Sequence, residues 1–343
     1  MQHEILLRKK LLDKTGKLTE PGFARSLILD YDRNDIKAAS YRIKEWDYYL
    51  ITNGKHGVAL TIADNSYMGL DSISFLEFEN VWEKTKIPMQ VFTFGKKKLP
   101  KSSVSGDVKS SGKGYSIEYK NNGDTRVLSF SMDDFLDGKR ISGSFTLQCP
   151  KMDSMVIATP FLEDEKAFYY NQKINCMPAA GIVTLGDDMY SFSSSDTFAV
   201  LDWGRGVWTY KNTWYWGSAS GTLDGVSFGF NIGYGFGDTS AASENMLFYN
   251  GTAHKLSQVT FNIPQKDGMD DFMSPWTFTS DDGRFEMDFE PIIDRASKTD
   301  VYLICSDQHQ VFGKFTGKAV LDDGTELILK DFFGFAEKVY NKW

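Results

Sequence analysis

Acid–base catalysis needs an ionisable side chain whose surroundings move its pKa towards neutrality, and three stretches of this chain offer one. In RIKEWDYYLI (42–51) a period of two puts Glu45 and Asp47 on one strand face with Ile43, Tyr49 and Ile51, and Lys44, Trp46, Tyr48 and Leu50 on the other. Carboxyls among isoleucines are candidates for a raised pKa; the plainer reading pairs them with Arg25, Arg42 or a neighbouring strand. In SDQHQVFGKFTGKAVL (306–321) Asp307 and His309 share a face with Val311, Gly313 and Phe315, so His309 is the histidine expected to point inward. It is either an acid–base group beside Asp307 or a neutral, hydrogen-bonded core residue. His3, His56 and His254 have no partner at metal-ligand spacing, so no metal site is expected, and no cofactor either. GxSxG, HExxH and P-loop motifs do not occur, which removes the common hydrolase, metalloprotease and NTPase readings.

The third stretch, LDWGRGVWTYKNTWYWGSASG (201–221), holds four tryptophans, two tyrosines, an arginine and an aspartate. Asp202, Gly204, Gly206, Trp208 and Tyr210 fall on one strand face, and Trp214 and Trp216 share a face beyond a turn at Lys211-Asn212. Asp202 is a fourth candidate carboxylic acid; Trp203, Trp208, Tyr210, Trp214 and Trp216, with Trp46, would line the site. Arg205 would hold a substrate carboxylate or orient Asp202. The following FGFNIGYGFGD (228–238) is not a dinucleotide loop, because Gly233, Gly235 and Gly237 alternate and Asp238 stands where GxGxxG needs its last glycine. It reads as a strand with Phe228, Phe230, Ile232, Tyr234 and Phe236 on one face and Gly229, Asn231, Gly233, Gly235 and Gly237 on the other. Something bulky should cover the stripped face, either the rings of the preceding segment or a ligand, and this strand adds Asn231 and Tyr234 to the binding candidates.

The elements that must position these groups are strands. Aromatic residues make up 15% of the 343 and concentrate in alternating runs closed by turn residues, as at Asn250-Gly251, Asp282-Gly283 and Asp323-Gly324. No βαβ alternation occurs, so the fold class expected is all-β. The length suits two domains, and the two prolines in QCPKMDSMVIATPF place the division at 1–165 and 166–343. Short helices are expected at the start of the chain and in SFSMDDFLDGK (129–139), where Ser131 would cap and Gly138 terminate. The Lys-, Ser- and Gly-rich stretch 96–125 reads as a mobile excursion, with Lys96, Lys97 and Lys98 as a solvated loop.

A net charge of -8 argues against a general nucleic-acid or anionic-membrane binder. Three widely spaced cysteines, Cys149, Cys176 and Cys305, fit a reducing compartment, and neither a secretory leader nor a membrane span is apparent, so a cytoplasmic location is expected.

The stretches RIKEWDYYLI, YYNQKIN (169–175), LDWGRGVWTYKNTWYWGSASG, GFNIGYGFGD, SENMLFYNGTAHKL, PWTFTSDDGRFEMDFEP, HQVFGKFTG and GFAEKVYNKW, in that order along nearly the whole chain, resemble the bacterial DUF2804 family. More distantly the chain is similar to the lipocalin-like superfamily of AttH proteins, carotenoid 1,2-hydratases and fungal decalin-forming cyclases. That resemblance implies two consecutive lipocalin-like (calycin-like) antiparallel β-barrels or curved sandwiches, with a ligand pocket in or between them. Three functions remain open. One is cofactor-free acid catalysis of the hydratase, lyase, isomerase or cyclase type on a small, largely apolar molecule, with aromatic faces stabilising developing positive charge. The second is binding of a lipid or other apolar ligand without chemistry. The third is a carbohydrate-active enzyme with paired carboxylates.

Overall fold

The computed structural model of the protein describes residues 2–301 and 304–342. It is built from strands, as the period-two alternation requires: 64% of it is strand, and the helical turns are the short 3-10 segments Arg33–Asp35 and Ser40–Arg42. Most of the strands form two curled antiparallel sheets, 14-stranded and 9-stranded, in succession along the chain, and the rest form two two-stranded sheets. In the first, β1 (Ile43–Thr52), β2 (His56–Asp64), β3 (Met68–Glu77) and β4 (Trp82–Lys86) pair in order. The other edge of β1 pairs with β6 (Phe198–Val207), which in turn pairs with β5 (Asp164–Leu185). In the second, β7 (Lys211–Leu223) lies between β8 (Val226–Tyr234) and β11 (Glu326–Lys342), followed by β10 (Ile304–Val320) and β9 (Phe285–Val301). The chain changes sheet between Val207 and Lys211, whereas at 165/166 it is still within the first sheet, where Met155–Phe161 pairs with β5.

Apolar side chains divide among three clusters, and the strand period decides which one each joins. Ile51 of β1 packs inside the first sheet with Leu60, Phe75 and Trp203, while its neighbour Leu50 faces the other way, onto Val200, Phe312 and Phe335. The second sheet encloses Phe228, Phe230, Phe278 and Phe315. The two sheets therefore dock through their outer faces.

Three local expectations give way to strand structure. Residues 129–139 are not helical: Leu128, Phe130 and Met132 alternate into the core of the first sheet, and Asp137-Gly138, both at positive φ, turns the strand Thr125–Leu136 into Lys139–Gln148. The start of the chain is extended, with Lys9–Lys10 pairing with Leu29–Asp30. The segment 96–125 contains the paired strands Val108–Gly112 and Tyr115–Asn121 and buries Leu99 and Ser103. Lys97 leaves the basic run to form a buried ion pair with Asp71, Nζ to Oδ1 2.6 Å.

Candidate active site

A cavity of about 490 Å³ opens between the outer faces of the two sheets, beside the apolar cluster that joins them. Its aromatic wall is a chain of edge-to-face and stacked rings. Trp46 stacks on Tyr169 and meets Trp208 edge-on; Trp208 meets Trp214 and Phe236. Tyr48 and Trp216 line the adjoining side, edge to face at 5.9 Å. The glycines of β6 make room for these rings. Gly204 is the cross-strand neighbour of Trp46, and a Cβ at Gly204 would lie 1.9 Å from Trp46 Cζ2. At Gly206 it would meet the Phe168 carbonyl oxygen at 2.6 Å and Trp208 Nε1 at 3.1 Å.

Two ionic groupings enter the cavity. Lys173 of β5 is the register partner of Asp202 of β6, and its Nζ lies 3.1 Å from Asp202 Oδ1 and 3.9 Å above the Trp216 ring. Asn171 Nδ2 also donates to Asp202 Oδ1. From the second sheet, Glu337 of β11 lies in a row between Trp216 of β7 and Gln310 of β10. Trp214 Nε1 donates to Glu337 Oε1 at 3.1 Å and Gln310 Nε2 to Glu337 Oε2 at 3.0 Å, while Tyr48 from the first sheet donates to Gln310 Oε1 at 3.3 Å. Burial pushes the Glu337 carboxyl up to about 7; the Trp214 hydrogen bond and the Lys173 and Arg295 charges oppose this, and Asp202 reinforces it. Burial also raises Glu244, against the pull of Lys173, and raises Tyr169 well above the usual phenol range. The wall thus carries two carboxyls raised by burial, Glu337 and Glu244, and Asp202 paired with a lysine.

Of the residues singled out in the sequence, Asp202, Trp46, Trp208, Trp214 and Trp216 line this cavity. Glu45 and Asp47 do not: they point into the first sheet, because that is the face of β1 carrying Ile43, Tyr49 and Ile51. There Tyr31 and Arg33 bond Glu45, and Arg205 Nη1 bonds Asp47 at 3.0 Å. Arg33 is the nearer cation of Glu45 and Arg205 on the neighbouring strand that of Asp47, while Arg25 and Arg42 pair with Glu4 and Asp164. Arg205 is fully buried, its guanidinium carbon 4.2 Å from the centre of Trp203, which is itself enclosed by Tyr31 and Tyr170. Trp203 and Arg205 thus belong to the first core.

His309 also lies outside the cavity, since its neighbours Gln308 and Gln310 take the cavity face of β10. Its Nδ1 is 2.6 Å from Asp294 Oδ2, its ring stacks on Phe272, and Asp307 pairs with Lys298. Burial lowers the His309 pKa, but Asp294, Asp307 and Asp270 outweigh it and the net shift is upward. Tyr210 is half exposed, Tyr234 stacks on Tyr215, and Asn231 stands behind the wall, accepting Trp216 Nε1 at 2.7 Å. The stripped face of β8 is filled differently from either expectation: Cys176 covers Gly229 and Glu244 covers Gly233.

Lys173, Glu337, Gln310, Tyr48, Tyr169 and Phe236 were not singled out as site residues. Glu337 carried the same signal as Glu45, a carboxyl alternating with the apolar residues Phe335 and Val339. Among the described residues, no three His, Cys, Asp or Glu side chains come together to hold a metal ion.

Similar solved structures include the following two. A structure described as AttH from Nitrosomonas europaea is 11% identical, covers 92% of this chain and 96% of its own, and superposes with a TM-score of 0.52, which shows a shared fold. Kievitone hydratase from Nectria haematococca is 10% identical over 88% of each chain, with a TM-score of 0.49. No curated protein matches the chain. The model of the family described as "Domain of unknown function (DUF2804)" matches residues 2–343, and the chain belongs to that family.

Proposed function

We propose that the protein binds a small, largely apolar molecule in the cavity between its sheets and catalyses a cofactor-free, proton-initiated reaction on it. The carrying observation is Glu337: a carboxyl in the cavity wall, buried, held in place by N–H donors on both oxygens, its pKa pushed up by burial to about 7. In a hydration, Glu337 gives its proton to one carbon of a double bond, and the positive charge left on the other carbon lies against indole faces. Water attacks that carbon and Asp202, paired with Lys173, takes the water's proton; exchange with solvent returns both carboxyls to their starting states. Run backwards the same steps eliminate water, and without water capture they isomerise or cyclise.

The test is native mass spectrometry of protein isolated from its host, followed by incubation of wild type and Glu337→Gln with host metabolite extract in ¹⁸O-labelled and deuterated water. The expected result is a retained small molecule, and label incorporation by wild type that the variant loses. Retention without incorporation by either protein leaves binding as the function. Absence of both a retained molecule and label incorporation refutes the proposal.

A further inference from the structure

The outer edge of the first sheet carries a feature unrelated to Glu337. Ile87, Met89, Val91, Phe92 and Phe94 are each between 42% and 74% exposed, and the Phe92 and Phe94 rings stack parallel at 6.4 Å. This is not slack in a loop. Thr93, between the two phenylalanines, turns inward and donates to Asp64 Oδ1 at 2.7 Å, and the Gly95 amide donates to Asp64 Oδ2 at 2.8 Å. Lys97 runs back to Asp71 and to Ser110 Oγ, and Asp71 also accepts from Ser110 and Tyr115. Asp64 and Asp71 are both completely buried. The amides of Phe92 and Phe94 bond the carbonyls of Tyr67 and Ser66 at 2.8 Å. Both phenylalanines stand in the left-handed region, at φ +57° and +44°, which bulky L-residues avoid. Two buried aspartates and two unfavourable backbone conformations thus hold a pair of aromatic rings in water.

The charge around this tip is opposite to that of the molecule. From Lys84 to Lys101 the sequence has six lysines and no carboxylate, in a chain of net charge -8. Lys97 is consumed by Asp71 and Lys101 pairs with Asp32, while Lys96 and Lys98 are exposed beside the rings. Exposed Phe, Val and Met flanked by lysines are what an interfacial anchor needs: apolar groups enter the boundary between headgroups and acyl chains, and ammonium groups meet lipid phosphates. A second copy of the chain would bring the same lysines against each other.

We infer that residues 87–98 form a membrane-docking tip for an anionic lipid surface. Net charge describes the whole surface and does not govern a local tip. Lys84 and Ile87 also line the cavity, so docking through the tip brings the cavity mouth to the bilayer. The inference stands whether or not Glu337 is catalytic.

Flotation of the full-length protein with vesicles of phosphatidylcholine alone, and of phosphatidylcholine with phosphatidylglycerol, tests it. The protein is expected to float with the anionic vesicles and less so at high salt. Phe92→Asn with Phe94→Asn, which tolerates the left-handed backbone, should lower vesicle binding about tenfold or more while thermal unfolding stays close to wild type. Lys96→Glu with Lys98→Glu, at exposed positions, should weaken it comparably at low salt, and Glu337→Gln should not change it. Absence of flotation with anionic vesicles overturns the inference, as does equal flotation of the Asn variant and wild type. Concentration-dependent dimerisation that the Asn variant abolishes, without flotation, would assign the tip to self-association instead.

Discussion

Glu337 couples the candidate chemistry to folding. A carboxyl whose folded pKa lies above its unfolded value binds more protons in the native state, so its contribution is present below the ordinary 4.5 and is lost as pH rises through about 7. The charged and titratable groups facing it are Lys173, Arg295, Asp202, Tyr48 and Tyr169, with N–H donors from Trp214 and Gln310. Glu337→Gln removes the titration; the wild type should lose on the order of 3 kcal/mol more stability than the variant between about pH 5 and about pH 8, read from urea unfolding at each pH. Lys173 answers for the other carboxylate. Lys173→Met leaves Asp202 buried without its cation and should cost about 3–5 kcal/mol, and adding Asp202→Asn should recover much of that loss in a double-mutant cycle. Lys173 carries no local signal in YYNQKIN because its role depends on the strand registered against it, and register between distant strands leaves no local mark.

Strand β6 shows how far alternation carries. Grouping Asp202, Gly204, Gly206 and Trp208 on one face, with Trp203 and Arg205 on the other, follows from a period of two and is how β6 is built. Which face meets a cavity is a different matter. For β6 it is the face with two glycines, because Trp46 from β1 lies across Gly204. Gly204→Ala should displace that indole, cost about 1–3 kcal/mol in chemical unfolding and shift the tryptophan emission of the folded protein. For β1 the face with Glu45 and Asp47 became the interior, where Arg205, Tyr31 and Arg33 compensate them, so an apolar face with carboxyls marked a buried ion network at one strand and a candidate acid at another. The segment 129–139 shows a competing error. Its cap-like Ser131 and terminating Gly138 are local helix signals, and the burial of Leu128, Phe130 and Met132 on one side of the strand overrides them.

The two sheets act as one body through the cluster that joins them, in which Phe335 packs edge-on against Trp216 and Phe312 packs against Phe78 and Phe335. Phe335→Ala should cost about 3–5 kcal/mol and, by weakening this apolar cluster between the sheets, split a single unfolding transition into two, visible when tryptophan fluorescence and far-ultraviolet circular dichroism cease to coincide. Strand content, the hairpins at Asn250-Gly251 and Asp323-Gly324, and the membership of each strand face follow from the chain's own order of residues, because side-chain period and turn conformation are properties of neighbours a few positions apart. The cavity does not. Tyr48 and Gln310, which bond across it, are 262 residues apart and meet only when the two sheets dock, while Lys173 meets Asp202, and Glu337 meets Trp214, through the register of strands distant in sequence within one sheet. Register gives Lys173 its partner and burial raises the pKa of Glu337, and both are properties of the assembled whole.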